Sequence, residues 1–316
     1  MIGITRRLTP VICLIVVALA ASTAGAQTKK AKPAPQGGPV MWESVDIKGR
    51  DLFHGPGGRG MMPDLKNIAF IKEEKGGHNK KYRIRDGAGR TWVAKLGREA
   101  QPETATVRLL WALGYKTEIN YLVPSITIPG KGTFQNVRLE ARPDNVERLD
   151  EWKWKANPFV GKKELEGLKI MMVFFNNWDV LDLQNQVLEV DGKNGAELQY
   201  IVSDMGSTLG RLGNNNFPVI YRLGRSTNKP GHYAKSKFIK GTKNNEVVLA
   251  YKGKNRGLFK HISIDAARWL AGLLMELDDR QIRDAFRAAN YSPADIDILT
   301  GAVKRRISDL DRATAY

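Results

Sequence analysis

The apolar residues change their period partway along the chain, and that change limits the possible folds more than any other feature of the sequence. Residues 68–71, 82–85 and 91–95 have strand character, the last two joined across the turn Asp86-Gly87-Ala88-Gly89, and strands are expected again at 121–128 and 134–140. Between them a helix is expected over 102–113, with Pro102 in its first turn and Gly114 as its stop. Beyond a charged linker at 141–155, which holds Trp152 and Trp154, the spacing becomes three and four: Leu165, Leu168, Met172 and Phe175. Ile170 to Phe175 is apolar on every face, so that helix should be buried. Short strands at 187–190 and 199–202 flank the turn Asp191-Gly192-Lys193-Asn194-Gly195, and the basic, glycine-rich segment 211–260 suggests no element. Ser263 and Asp278 are expected helix caps, and Ser292-Pro293-Ala294-Asp295 an expected capping box. The expected fold class is α+β, a β-rich lobe over 43–140 followed by a mainly helical lobe over 141–316.

Residues 1–26 have the plan of a signal peptide: Arg6 and Arg7, an apolar run over 11–21, then small residues ending in Ala24-Gly25-Ala26. Export to a periplasmic or extracellular space is therefore expected. The run is too short for a transmembrane segment, which needs about 18 or more apolar residues, and no later segment comes closer. Cys13, the only cysteine, would leave with the leader, so the mature chain would rest on its core without a disulfide. Residues 27–42, rich in Pro, Gly and Lys, are expected to be a disordered linker. The formal charge is +17, and removing the leader takes away two arginines and no acid. Such a chain attracts polyanions, among them nucleotide phosphates, lipid headgroups and envelope polymers. For nucleic acid nothing beyond charge speaks, since no recognition module is present.

Three segments hold residue types suited to phosphoryl chemistry. Val93-Ala94-Lys95 ends a strand and is followed by a helix carrying Glu99 and Glu103; a strand lysine held by a helix glutamate sets a cation on nucleotide phosphates. The loop Asn177-Trp178-Asp179-Val180-Leu181-Asp182-Leu183-Gln184-Asn185 offers an aspartate able to take a proton from a hydroxyl, with an amide five or six residues later. Ile201-Val202-Ser203-Asp204-Met205-Gly206 ends a strand in Asp-x-Gly, a carboxylate suited to a divalent ion beside phosphates. The histidines (His54, His78, His232, His261) lack metal-ligand spacing, and Gly55-Pro56-Gly57-Gly58-Arg59-Gly60 lacks the Gly-Lys-Ser/Thr of a phosphate-binding loop.

In that order, and with Asp86 to Lys95, Ala112-Leu113-Gly114-Tyr115, Asn157-Pro158-Phe159, Asn177-Trp178-Asp179 and Asp204 to Gly210, the chain resembles the atypical branches of the kinase-like superfamily: HipA-type kinases, phosphoinositide kinases and secreted kinases. It also resembles a group of exported bacterial proteins carrying the same motifs. The resemblance implies a two-lobed protein-kinase-like fold using ATP or another nucleotide with Mg²⁺ or Mn²⁺. It implies Lys95 on the phosphates oriented by Glu103, with Glu99 as the alternative, Asp179 as catalytic aspartate, and Asn185 and Asp204 as metal ligands. Gly76 and Gly77 would offer backbone amides to phosphates. One departure stands out: the fifth residue after Asp179 is Gln184 and Asn185 is the sixth, so either reaches the metal or neither does. The expected function is phosphoryl transfer to a hydroxyl on an unidentified acceptor. The alternative is an inactive kinase-like protein whose basic surface, especially 211–254, captures an anionic envelope component.

Overall fold

A computed structural model describes residues 37–76, 79–192, 195–210 and 228–315. The short strand β1 (Gly38–Val40) is followed by β2 (Ala69–Glu74), β3 (Lys81–Arg85) and β4 (Thr91–Lys95), then helix α1 (Ala100–Ala112), β5 (Asn120–Ile128) and β6 (Gly132–Ala141). The strands β2 to β6 form one antiparallel sheet in the order β2-β3-β4-β6-β5. Alternation gives this sheet one apolar face, where Ile84, Trp92, Ala94, Val137 and Leu139 are fully buried. The Trp92 indole, dry on all sides, donates to Asp86 Oδ2 at 2.9 Å, while Asp86 Oδ1 accepts from the Ala88 and Arg90 amides. One carboxylate thus ties the hairpin turn to the core, satisfying a buried donor that would otherwise cost stability.

The second half contains β7 (Val146–Arg148), α2 (Lys163–Phe174), β8 (Asn185–Gly192), β9 (Gly195–Val202), α3 (Pro230–Lys235), β10 (Ile239–Lys243), β11 (Glu246–Leu249), α4 (Ile264–Met275), α5 (Asp279–Ala288) and α6 (Pro293–Thr314). Helix α2 has Ile170 to Phe175 buried on every face, as its composition predicts. Around it lies the larger core, built from Trp152, Trp154, α4, α5 and α6. Leu109 and Leu110 of α1 belong to that core as well, and α1 also packs on β5 and β6. The fold is therefore α+β, with sheet first and helices last. Among the described residues no helix is long and apolar enough to cross a membrane.

Several expectations need correction. The linker expected over 27–42 is structured at its end: β1 pairs in parallel with β9, Met41 is buried, and Trp42 Nε1 donates to the Leu113 carbonyl at 2.7 Å. Pro39 is tolerated because β1 is an edge strand, and Val40-Met41-Trp42 supply apolar surface that the Pro/Gly composition hides. Residues 27–36 lie outside the described residues. The charged linker at 141–155 begins with the last residue of β6, adds β7 to β8, and buries both tryptophans, Trp152 donating to the Ile201 carbonyl at 2.7 Å. Of 211–260, the part from 228 onward forms α3 and the β10–β11 hairpin. Residues 211–227 lie outside the described residues. Ser292 caps α6 by accepting from the Asp295 amide, yet its hydroxyl also meets the Asp295 carboxylate instead of forming a reciprocal box. The reciprocal box is at Asp278 and Gln281, opening α5.

Gly114 ends the turn after α1 with φ +95°, and a Cβ there would stand 2.1 Å from the Glu43 carbonyl oxygen. The Glu43 amide donates back to the Gly114 carbonyl at 3.1 Å. Only glycine allows the strand-side segment to pass this close to the helix end.

Candidate functional site

Strand alternation decides what faces the space between the sheet and the second half. In β4 the side chains of Trp92 and Ala94 enter the sheet core, so Val93 and Lys95 take the other face. Register extends that face across three strands, because Lys95 lies opposite Lys81 on β3 and Arg138 on β6, and Val93 lies opposite Glu140. Lys95 is buried, and its Nζ stands 2.9 Å from Glu103 Oε2 and 3.2 Å from Asp204 Oδ1. The strand, the helix and the Asp-x-Gly turn thus meet at one ammonium. Glu103 is fully buried and shared: Arg138 Nε lies 3.1 Å from the same oxygen.

The electrostatics follow from this crowding. Burial alone pushes Lys95 down, but the Asp204 and Glu103 carboxylates outweigh it and hold the ammonium above its ordinary value. Burial drives Glu103 up to about 7 against the pull of Arg138 and Lys95. Asp204, more than a third exposed, resists burial through Lys95 and the Gly206 amide, which donates to Oδ1 at 3.1 Å, and is lowered. Glu99 is the other acid of this helix: it accepts from Asn79 Nδ2 at 2.5 Å and is raised, chiefly by burial. Gly206 is required beside it, since a Cβ at 206 would stand 2.6 Å from Glu99 Cβ.

The loop after α2 carries the remaining candidates. Asn177 Oδ1 accepts from the Asp179 amide at 3.0 Å, fixing the turn. Asp179 holds Gln184 Nε2 at 3.1 Å on Oδ2 and Lys254 Nζ at 2.5 Å beside Oδ1. The two amides left open by the sequence are therefore used differently. Gln184 holds the aspartate. Asn185, buried, donates to the Trp152 carbonyl at 2.9 Å and leaves its Oδ1 with no hydrogen-bond partner among the described residues. A cavity of about 220 Å³ brings Lys95, Arg138, Asn185 and Asp204 together. Asp179 and Gly76 are not among its lining residues, and Gly77 lies outside the described residues.

Sequence reading missed the charges of β6. Arg138 Nη2 meets Glu140 Oε2 at 2.6 Å, Arg142 pairs with the other Glu140 oxygen, and Arg148 Nη1 meets Glu118 Oε1 at 2.8 Å. Ser203, next to Asp204, closes the chain by donating to Glu118 Oε1 at 2.9 Å. The arginines hold Glu140 far below the usual carboxylate range despite its burial, whereas burial and Glu140 push Glu118 up. The signal was present in Val137-Arg138-Leu139-Glu140-Ala141-Arg142, where charges alternate with apolar residues at the strand period. Lys254 was missed because it lies seventy-five positions after Asp179; Gly253 lets its segment pass close to Trp178, whose Cα would stand 2.5 Å from a Cβ at 253.

Among the described residues, no three His, Cys, Asp or Glu side chains gather into a metal-binding cluster. Asp204 and the unpartnered Asn185 oxygen in one cavity suit an ion such as Mg²⁺, which is usually held by one or two protein groups plus phosphates and water.

No family model matches the chain, and no curated protein matches it. Among solved structures it is similar to the crystal structure of a Helicobacter pylori proinflammatory kinase, CtkA, with a TM-score of 0.50 and 13% sequence identity, over 80% of this chain and 97% of that chain. At that identity the likeness speaks for the fold alone, and the fold is two-lobed and kinase-like, a β-rich first lobe followed by a helical second lobe.

Proposed function

We propose that this chain is an exported phosphotransferase of the atypical kinase type, moving the terminal phosphoryl group of a nucleotide to a hydroxyl of an unidentified acceptor. The observation that carries the reading is Lys95 held between Glu103 and Asp204, at 2.9 and 3.2 Å, from three separate segments. In this reading Lys95 binds phosphate oxygens, Glu103 fixes its position, and Asp179 takes the proton of the acceptor hydroxyl as that oxygen bonds to phosphorus and the bridging P–O bond breaks. Asp204 and Asn185 would hold Mg²⁺ or Mn²⁺, which supplies charge neutralisation on the phosphates. Periplasmic or extracellular placement rests on the leader-like residues 1–26.

One observation favours a second reading, an inactive fold that binds an anionic envelope component. Both oxygens of Asp179 are engaged, one by Gln184 and one by Lys254. The two readings separate by thermal unfolding with ATP or GTP and Mg²⁺ or Mn²⁺, since a ligand of the native state raises apparent stability. A metal-dependent rise lost in Lys95→Ala and Asp204→Ala, with transfer of labelled phosphoryl to an added hydroxyl acceptor, is expected of the phosphotransferase. No rise with any nucleotide would sink that reading and leave the binding protein.

A further inference from the structure

The cavity at Lys95 has the wrong chemistry for a purine and the right chemistry for a phosphate chain. Lys81, Lys95 and Arg138 stand directly opposite one another on β3, β4 and β6, so three cations occupy one row on the face that lines the cavity. Like charges in opposed positions destabilise a sheet. Glu103 and Asp204 offset Lys95, and Glu103 and Glu140 offset Arg138. Lys81 has no ion-pair partner among the described residues, and Glu74 opposite it pairs with Arg83 at 2.6 Å. Arg138, 3% exposed, also keeps Nη1 buried with no hydrogen-bond partner among the described residues. A buried unpaired donor in a row of cations calls for an anionic oxygen.

Size and wall composition agree. Pockets for organic ligands run to about 300–1,000 Å³ and are mostly apolar. This one is about 220 Å³, and among the described residues Val93 and Leu183 are its only apolar lining residues, with no aromatic ring beside them. A more apolar cavity of about 240 Å³, walled by Trp111, Ile119, Val146 and Leu188, lies alongside, but Arg142 and Arg148 line both spaces and stand in ion pairs with Glu140 and Glu118. A base entering the apolar space from this cavity would meet those paired arginines.

We infer that the site selects its phosphodonor by the phosphate chain, through Lys81, Lys95 and Arg138, and is indifferent to the base, so that inorganic triphosphate is bound as well as a nucleoside triphosphate. This rests on the phosphotransferase reading of the same site and widens its donor class from nucleotides to triphosphates of any kind.

The experiment is a titration of the purified chain, in Mg²⁺, with inorganic triphosphate, ATP, GTP and adenosine, followed by the thermal midpoint. Expected are affinities for the three triphosphates within about threefold of one another, no shift with adenosine, and loss of all three shifts in Lys95→Ala. Lys81→Ala, which breaks no ion pair, should weaken all three by the same factor. Affinity for ATP or GTP about tenfold or more above that for inorganic triphosphate, a shift with adenosine alone, or a Lys81→Ala effect confined to one nucleotide would overturn base indifference while the phosphotransferase reading stands. No shift with any triphosphate would overturn both.

Discussion

Replacing Glu103 by Gln should make the protein lose less stability as pH rises past neutral, although it removes the carboxylate shared by two buried cations. Glu103 is fully buried, and its Oε1 has no hydrogen-bond partner among the described residues, so the ion pairs on Oε2 must offset the whole desolvation of the charge. They do not, for burial holds the group at about 7 against an ordinary 4.5. Between those values the folded chain keeps a proton that the unfolded chain has released. Raising the pH therefore favours the unfolded state, and the stability contributed by protonated Glu103, complete below 4.5, is lost as pH rises through about 7. At about 1.4 kcal/mol per pH unit, the loss sums to about 3 kcal/mol. Gln keeps the shape and cannot ionise. Urea unfolding of the unmodified and Glu103→Gln proteins at pH 5 and pH 8 should give a difference that moves in favour of the variant by about 2.5 kcal/mol from the lower to the higher pH, the rest of the loss falling below pH 5. A variant that loses ground instead would mean that Lys95 and Arg138 more than offset burial, and the reasoning would fail.

Gly114→Ala should cost at least about 2 kcal/mol in urea unfolding, because φ +95° strains any side chain and the Cβ would meet the backbone oxygen of Glu43, not a side chain able to swing away. Lys254→Ala should change stability by less than about 1 kcal/mol, its side chain being 38% exposed. If Lys254 restrains the base, the same variant should raise the rate of phosphoryl transfer; a fall would make it a participant.

Much of the fold was legible because period reports burial directly. The alternation of β3 and β4 and the all-apolar stretch of α2 each require a particular neighbour, and the structure supplies it. What failed were segments whose composition argues against their structure. Pro39 and its glycines suggest a tether, yet three residues on a sheet edge need only main-chain pairing, and Met41 and Trp42 then anchor them. The charged stretch 141–155 is held by two tryptophans that a window average dilutes. Within the site, Lys95 and Glu103 were visible because they are eight residues apart on adjoining elements, whereas Lys254 reaches Asp179 through a fold-level approach that no local spacing encodes.

The charges of β6 show why register matters beyond residue type. Arg138 and Glu140 each look like a solvated strand residue, and on a free sheet face they would be. Closing the second half over that face turns the same alternation into buried ion pairs beside Lys95, with Lys81 in line and, among the described residues, unpaired. A sequence selected for stability alone would fill such a row with Val or Thr. Retaining three aligned cations lowers the stability of the free protein and leaves a place where an added anion can restore it. The Glu103→Gln and inorganic triphosphate experiments are therefore linked. The substitution takes one counter-anion from this row, so the variant should respond to triphosphate with its Lys95 still charged but no longer held by Glu103. Its affinity should then change without being abolished, as it is in Lys95→Ala.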